Sequence, residues 1–212
     1  AAYSVTDRIL ATDEHSNTVI YAYGAMREKT DYGIAIDFEK AEHFYYNQKI
    51  NVKEGTSISF RASFPQMTDS ALVQYGFTLV DRANSFYNNS PTANTMALDV
   101  VSFANTTQVK FAAAVKMAGK TRVALEPPLT ANLTRSTTDV YDITFKKINE
   151  TEGGVNYSWR VTMIRNGVTP YAYRYKASDV PHDLFKDGAY LAVGSMAGSN
   201  AHTLKVSDLE VK

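Results

Sequence analysis

The sequence predicts an all-β fold, an antiparallel two-sheet β-sandwich of the jelly-roll type. Apolar and polar residues alternate through most of the 212 residues, turn-forming residues interrupt that alternation at short intervals, and no long segment has a 3.6-residue period. Fourteen Tyr and ten Phe against eleven Gly and six Pro suit pleated strands with one buried face. Short connections without crossover helices favour a sandwich over a small barrel.

The strands are predicted from apolar residues at every second position. In the first clear run, Ile58, Phe60 and Ala62 face one side while Ser59 and Arg61 face the other. The pattern recurs over residues 73–79, 96–100, 109–115, 141–145 and 157–163. Each run therefore predicts a strand that buries one face.

Two strands near the C-terminal third are predicted to form a tight hairpin. The pair Asn166-Gly167 separates the runs Tyr157–Arg165 and Thr169–Tyr175 and suits a two-residue turn. Trp159 shares its side of the strand with Val161, so we expect the indole in the core. Residues 178–185 are predicted as a short helix or as a loop that carries one helical turn, with both alternatives open.

Composition limits the classes of protein that the chain can belong to. There is no cysteine, which excludes disulfides, zinc–thiolate sites and thiol nucleophiles. Lys and Arg number 22 against 22 Asp and Glu, so a general attraction for nucleic acid is not expected. No apolar run approaches the ~18–20 residues of a membrane span. No linker or repeat divides the chain, and we expect residues 1–212 to form one domain.

The C-terminal segments carry a family resemblance. Residues 188–195, GAYLAVGS, followed by residues 203–211, TLKVSDLEV, resemble the closing hairpin of concanavalin A-like lectin and glucanase sandwiches. The hairpin around Asn166-Gly167 is similar to the central meander of the same superfamily. The resemblance implies a jelly roll. It leaves function open, because the superfamily includes lectins, carbohydrate-binding modules, glycoside hydrolases and polysaccharide lyases.

The resemblance also implies a structural calcium ion, although we expect no cofactor to be required. Asp208 lies where the superfamily's final strand places a calcium ligand, and Asp13 or Glu14 would approach from the N-terminal strand. Calcium in proteins takes oxygen ligands from carboxylates and backbone carbonyls.

The sequence lacks the residue patterns expected of an enzyme on this scaffold. Retaining glycosidases need two carboxyl groups ~5–5.5 Å apart, and the E-x-D-x-E array of the superfamily's glucanases is missing. The nearest pairs are Asp37 with Glu39 and Asp208 with Glu210. The four histidines are scattered without metal-ligand spacing. A non-catalytic protein is therefore favoured, with a divergent polysaccharide lyase or glycoside hydrolase as the alternative.

Two aromatic and amide-rich segments, predicted as loops, are candidates for sugar binding. Sugar rings stack on flat aromatic faces, and planar amides hydrogen-bond to their hydroxyls. The segments are residues 43–48, HFYYNQ, and residues 85–90, SFYNNS. Their candidate ligand-binding residues are Tyr45, Tyr46, Phe86, Tyr87, Asn88 and Asn89.

A second candidate surface is the polar side of the sheets. Arg61, Gln74 and Arg160 project opposite the apolar positions of their strands, as do Asp99 and Lys110. A jelly roll can bring such side chains together across a sheet, whereas the alternative is an ordinary solvated face.

The sequence therefore predicts a glycan-binding module that recognises a mostly neutral polysaccharide with aromatic and amide side chains. We expect it in a secreted or cell-surface bacterial protein, as part of a larger multidomain chain. The alternatives are the divergent lyase or hydrolase and a structural or adhesive module that binds protein.

Overall fold

A computed structural model of the chain consists of β-strands joined by turns. It describes residues 9–12, 18–21, 25–30, 33–38, 43–46, 49–63, 73–82, 92–102, 109–125, 139–195 and 202–212. The strands are Ile9–Thr12 (β1), Thr18–Tyr21 (β2), Ala25–Thr30 (β3), Gly33–Phe38 (β4), His43–Tyr46 (β5), Ser57–Ser63 (β6), Val73–Val80 (β7), Thr95–Ser102 (β8), Lys110–Lys116 (β9), Val123–Ala124 (β10), Val140–Glu152 (β11), Val155–Arg165 (β12), Val168–Lys176 (β13), Tyr190–Ser195 (β14) and His202–Val211 (β15).

The strands form two antiparallel sheets, as predicted. The eight-stranded sheet has the order β1-β2-β5-β14-β7-β8-β9-β10, and the seven-stranded sheet has the order β13-β12-β11-β6-β15-β4-β3. Many neighbours in each sheet are distant in sequence; β6, for example, lies between β11 and β15. Such crossings between sheets are typical of jelly rolls. Within the described residues no helix is long and apolar enough to cross a membrane.

Aromatic side chains join the two sheets. The ring of Phe60 in β6 lies 5.3 Å from that of Phe77 in β7, between centroids. The Tyr175 hydroxyl, in β13, donates a hydrogen bond of 2.6 Å to the Ala97 carbonyl in β8. Trp159 is 1% exposed and belongs to the same core. The two-sheet sandwich and the buried position of Trp159 are therefore confirmed.

The predicted hairpin is confirmed with its turn chemistry. Asn166 and Gly167 have φ angles of 49° and 86°, the left-handed conformation that a two-residue turn between twisted strands requires. The Asn166 side-chain oxygen accepts a hydrogen bond from the Val140 amide (3.0 Å), and its nitrogen donates to Asp139 (2.8 Å). Residues 177–187 form a loop of successive turns, which decides the alternative left open for 178–185.

The eight-stranded sheet departs from the predicted alternation. Residues 111–116 of β9 are all buried, and so is Asp99 of β8, which is 0% exposed and forms an ion pair with Arg122. Asp99 was predicted on a polar, outward face, and the prediction of exposure is wrong. Ala97, Ala112 and Ala114 make this outer face small and apolar rather than polar, so it suits burial on both sides.

Two buried phenols make stability sensitive to high pH. Burial raises the pKa of Tyr175 well above its ordinary value, and burial together with the Asp139 charge does the same for Tyr141. Their contribution to stability is complete below about pH 10, the unfolded-state value, and is lost as pH rises towards the folded-state values. We expect the free energy of unfolding to fall above pH 10 by about 1.4 kcal/mol per pH unit for each phenol. Urea titrations between pH 9 and 11.5 should show a shallower fall for Tyr175→Phe; an unchanged slope would contradict this assignment.

Candidate functional site

The outward face of the seven-stranded sheet carries a row of cationic side chains. Antiparallel register places Arg174 of β13 opposite Arg160 of β12, Arg160 opposite Lys146 of β11, and Lys146 opposite Ser57 of β6. Adjacent strands lie ~4.8 Å apart, so the three cationic residues follow one another across about 10 Å of sheet. Their strands bury the opposite face in the core, which directs these residues outwards.

A groove opens beside this row at the edge of the sheet. It has a volume of about 360 Å³ and is lined by Glu150, Arg160, Ala172, Tyr173 and Arg174. That volume lies at the lower end of the ~300–1,000 Å³ range typical of ligand sites. Ala172 is exposed on the outward side of β13, and its small side chain leaves space beside the arginines. The groove is therefore large enough for one or two sugar rings.

Ion pairs hold the polar side chains of the groove. One Glu150 oxygen lies 3.4 Å from Arg160 Nη1, and the other lies 3.4 Å from Arg174 Nη1. Arg174 Nη2 also lies 2.7 Å from a Glu152 oxygen, and this hydrogen bond raises the pKa of Arg174. Two arginines and two glutamates make the group formally neutral. Each guanidinium retains further N–H donors for a ligand, because a guanidinium carries five.

An aromatic ring borders the same groups. The guanidinium carbon of Arg174 lies 4.0 Å from the centroid of the Tyr157 ring, a cation–π contact. Tyr173 pairs with the buried Val161 and lies on the core side of β13, where its ring packs edge-on against Tyr175 with ring centroids 5.2 Å apart. Tyr157 therefore supplies the aromatic ring beside the planar hydrogen-bonding groups.

Irregular strand pairing accounts for the position of Glu150 and Tyr157. The register between β11 and β12 shifts between Lys147 and Glu150, and the register between β12 and β13 shifts between Tyr157 and Trp159. Such bulges change the direction of side chains relative to regular alternation. For this reason the alternation of the sequence did not indicate either residue as part of a site. It also missed Arg174, although the position of Arg174 between Tyr173 and Tyr175 was a usable signal.

The structure places two predicted site residues on this outward face. Arg160 lines the groove, whereas Arg61 of β6 is paired with Asp142 of β11 at 3.0 Å. Asp142 and Lys146 are four residues apart on β11, so Arg61 lies about 13 Å along the strands from the cationic row. Gln74 is in β7 and therefore belongs to the other sheet.

The structure describes one of the two predicted aromatic segments and not the other. Tyr45 and Tyr46 lie in β5, which pairs with β2 on one side and β14 on the other, so the predicted loop at this position is wrong. Aromatic residues favour strands, and a four-residue strand between two partners needs no alternation of its own. Phe86, Tyr87, Asn88 and Asn89 lie outside the described residues. Sugar binding by all six residues stays a prediction.

The calcium prediction is not decided by the structure. Asp208 lies in β15 within the register shift between Ser207 and Glu210, while Asp13 and Glu14 lie outside the described residues. In the described ranges no group of three or more His, Cys, Asp or Glu side chains comes close enough to bind a metal.

The fold and the groove together define an antiparallel β-sandwich with a polar groove on one sheet, beside the ring of Tyr157. The alginate lyase Aly36B has a similar structure, with a TM-score of 0.51 and 10% identity over 89% of this chain and 86% of that one. The enzymatically active domain of tailspike protein 2 from bacteriophage CBA120 has a TM-score of 0.53 and 12% identity over 99% of this chain, which spans 28% of that chain. The carbohydrate-binding module CBM66 from Bacillus subtilis aligns over 89% of this chain with a TM-score of 0.46 and 9% identity.

The likenesses to Aly36B and to the tailspike domain show the fold. No protein-family model and no curated protein sequence matches the chain. The predicted resemblance to carbohydrate-related β-sandwiches is confirmed at the level of architecture, while membership of the concanavalin A-like superfamily stays a prediction.

Proposed function

We propose that the chain binds a mostly neutral polysaccharide without cleaving it, in the groove between Glu150, Arg160 and Arg174. The observation that carries the proposal is the groove itself, in which Glu150 holds Arg160 and Arg174 while the Tyr157 ring lies against Arg174. Sugar hydroxyls pair with such planar donors and acceptors, and the apolar C–H face of a pyranose packs on an aromatic ring.

The ion pairs favour binding in a second way. Arg160 and Arg174 are both held by Glu150 before a ligand arrives, so less side-chain entropy is lost on binding. Glu150 and Glu152 balance the charges of the two arginines, and Lys146 adds one positive charge beside the groove; so small a net charge suits a neutral glycan better than a polyanion. This agrees with the balance of 22 basic and 22 acidic residues in the whole chain.

The fold comparisons support a carbohydrate ligand. A protein named as an alginate lyase shares the architecture over most of both chains. Because such likeness establishes the fold alone, whether this chain binds or cleaves rests on its own residues. We further propose that the chain acts within a secreted or cell-surface bacterial protein of several domains.

A glycan array followed by calorimetry tests the proposal. We expect wild-type protein to bind at least one neutral polysaccharide, and Arg174→Ala to weaken that binding by about ten- to a hundredfold, the cost of losing hydrogen bonds from a charged group. Lys120→Ala, which removes an exposed charge from the turn after β9, is the matched control and should bind like wild type.

Other outcomes of the same assay would contradict the proposal. If the protein bound no glycan, or if Arg174→Ala bound as well as wild type, the groove would be excluded as the binding site. Loss of binding in Tyr46→Ala or Tyr87→Ala alone would move the site to the aromatic segments. Release of reducing ends or of an ultraviolet-absorbing product would show that the chain is an enzyme.

A further inference from the structure

A buried lysine lies under the loop that follows β13. Lys147 of β11 is 8% exposed, and its Nζ lies 3.2 Å from the Ser158 carbonyl oxygen, 3.4 Å from the Ile148 carbonyl oxygen and 2.8 Å from Nδ1 of His182. His182 is itself exposed in the loop of residues 177–187. A solvent-accessible imidazole therefore touches a buried amine.

The other nitrogen of the same imidazole contacts the hairpin between β11 and β12. His182 Nε2 is hydrogen-bonded to the side-chain oxygen of Asn156. The side-chain nitrogen of Asn156 donates to the Asn149 side chain (2.9 Å), the Thr151 hydroxyl (3.1 Å) and the Glu150 carbonyl oxygen (3.3 Å). Asn156 thus forms hydrogen bonds to residues 149–151, the segment that contains Glu150. Glu150 is one of the residues that line the groove.

The donors and acceptors around His182 define the protonation state of its imidazole. Three acceptors surround the Asn156 nitrogen, so the Asn156 oxygen faces His182 and Nε2 must carry the proton. A neutral imidazole then has an acceptor at Nδ1. Lys147 donates a hydrogen bond to that nitrogen. The three N–H groups of its ammonium thus have three acceptors, namely Nδ1 and the two carbonyl oxygens.

We infer that His182 is a pH-dependent latch which holds the β11–β12 hairpin, and with it Glu150, in the geometry of the groove. Protonation of the imidazole replaces the acceptor at Nδ1 with a donor that faces the Lys147 ammonium. Two cations in contact and one lost hydrogen bond open the latch, and the hairpin loses the side-chain contact of Asn156 with the loop, while the backbone hydrogen bond from the Ala177 amide to the Asn156 carbonyl remains. Histidine is the side chain that ordinarily changes charge near neutral pH, so the latch is closed when the imidazole is neutral and opens when it takes up a proton.

The other charged groups around the latch do not alter this direction. Burial lowers the pKa of Lys147, whereas the charge of Glu54, from the turn before β6, opposes that shift. Among the described residues, the loop itself carries Asp179 and Asp183 close to His182 in sequence. No carboxylate is recorded in a hydrogen bond or ion pair with His182 in the part of the chain that the structure describes.

Backbone hydrogen exchange tests the latch without any ligand. At pH 7.5 the amides of residues 149–156 should be protected, and after correction for intrinsic rates their protection should fall about ten- to a hundredfold at pH 5.5, the effect of losing a hydrogen bond to a charged group. In His182→Ala the hairpin should be poorly protected at both values of pH. Asp183→Asn, the matched control in the same loop, should behave like wild type.

Nitrogen NMR of the imidazole supplies a second readout. We expect the Nε2–H tautomer of His182 at pH 7.5; the Nδ1–H tautomer, or protection of residues 149–156 that does not depend on pH, would overturn the inference. The effect on glycan affinity rests on the proposed function. A latch that opens in hydrogen exchange while no glycan binds at any pH would leave the latch intact and refute the binding proposal.

Discussion

Trp159→Ala should lower the free energy of unfolding by about 3–5 kcal/mol, the largest effect we expect from a single core substitution. The indole is 1% exposed and packs edge-on against Phe185, with ring centroids 5.7 Å apart. Phe185 belongs to the loop after β13, so the tryptophan also anchors that loop to the sheet. Removal leaves a cavity that rigid neighbouring strands cannot close. Urea denaturation monitored by circular dichroism measures the change.

Val168→Ala is the control for this substitution. Val168 starts β13 and is 69% exposed, so its truncation should change stability by no more than about 0.5 kcal/mol. If Trp159→Ala were as stable as Val168→Ala, the indole would lie outside the core. Loss of glycan binding without loss of stability would then identify Trp159 as a stacking surface for sugar.

Arg122→Ala should cost about 3–5 kcal/mol, the second large effect. Asp99 is fully buried in the centre of β8, and the Arg122 side chain, 30% exposed, reaches over the sheet to pair with it. Attraction between buried charges offsets much of the cost of removing them from water. The variant keeps that desolvation cost and loses the cation, which makes the folded state much less stable.

A surface ion pair provides the comparison for Arg122. Arg82 lies 3.5 Å from Asp81 and its side chain is 50% exposed, so Arg82→Ala should cost at most about 1 kcal/mol. Adding Asp99→Asn to Arg122→Ala should recover part of the lost stability, because it removes the buried charge as well. Equal stability of Arg82→Ala and Arg122→Ala would show that the buried pair is not formed.

The alternation of residues predicted the seven-stranded sheet well and the eight-stranded sheet less well. In β6 every second residue is buried, as the pattern of Ile58, Phe60 and Ala62 indicated. In β8 and β9 the positions between the large apolar residues are alanines and Asp99. Alanine suits either a covered or an exposed face, and sequence periodicity does not tell whether a loop covers it. The buried position of Asp99 could not be predicted for that reason.

The candidate site could be predicted only in part. Arg160 lies between Trp159 and Val161, which both face the core. Alternation along the strand was therefore sufficient to predict that Arg160 faces outwards. Its partners Glu150 and Arg174 depend on the register between three strands and on two bulges, which local sequence does not specify. His182 is one of four scattered histidines in the sequence, and its contact with Lys147 joins residues 35 positions apart.

Chemical-shift mapping with a bound neutral oligosaccharide tests the central claim most directly. Glycan binding in the groove predicts shifts concentrated at the backbone amides of Glu150, Arg160 and residues 172–174, with saturation at the affinity found by calorimetry. Residues 109–125 of the eight-stranded sheet should not shift. Shifts confined to β5 or to residues 86–89, or no shifts with any glycan that the array identifies, would contradict the claim.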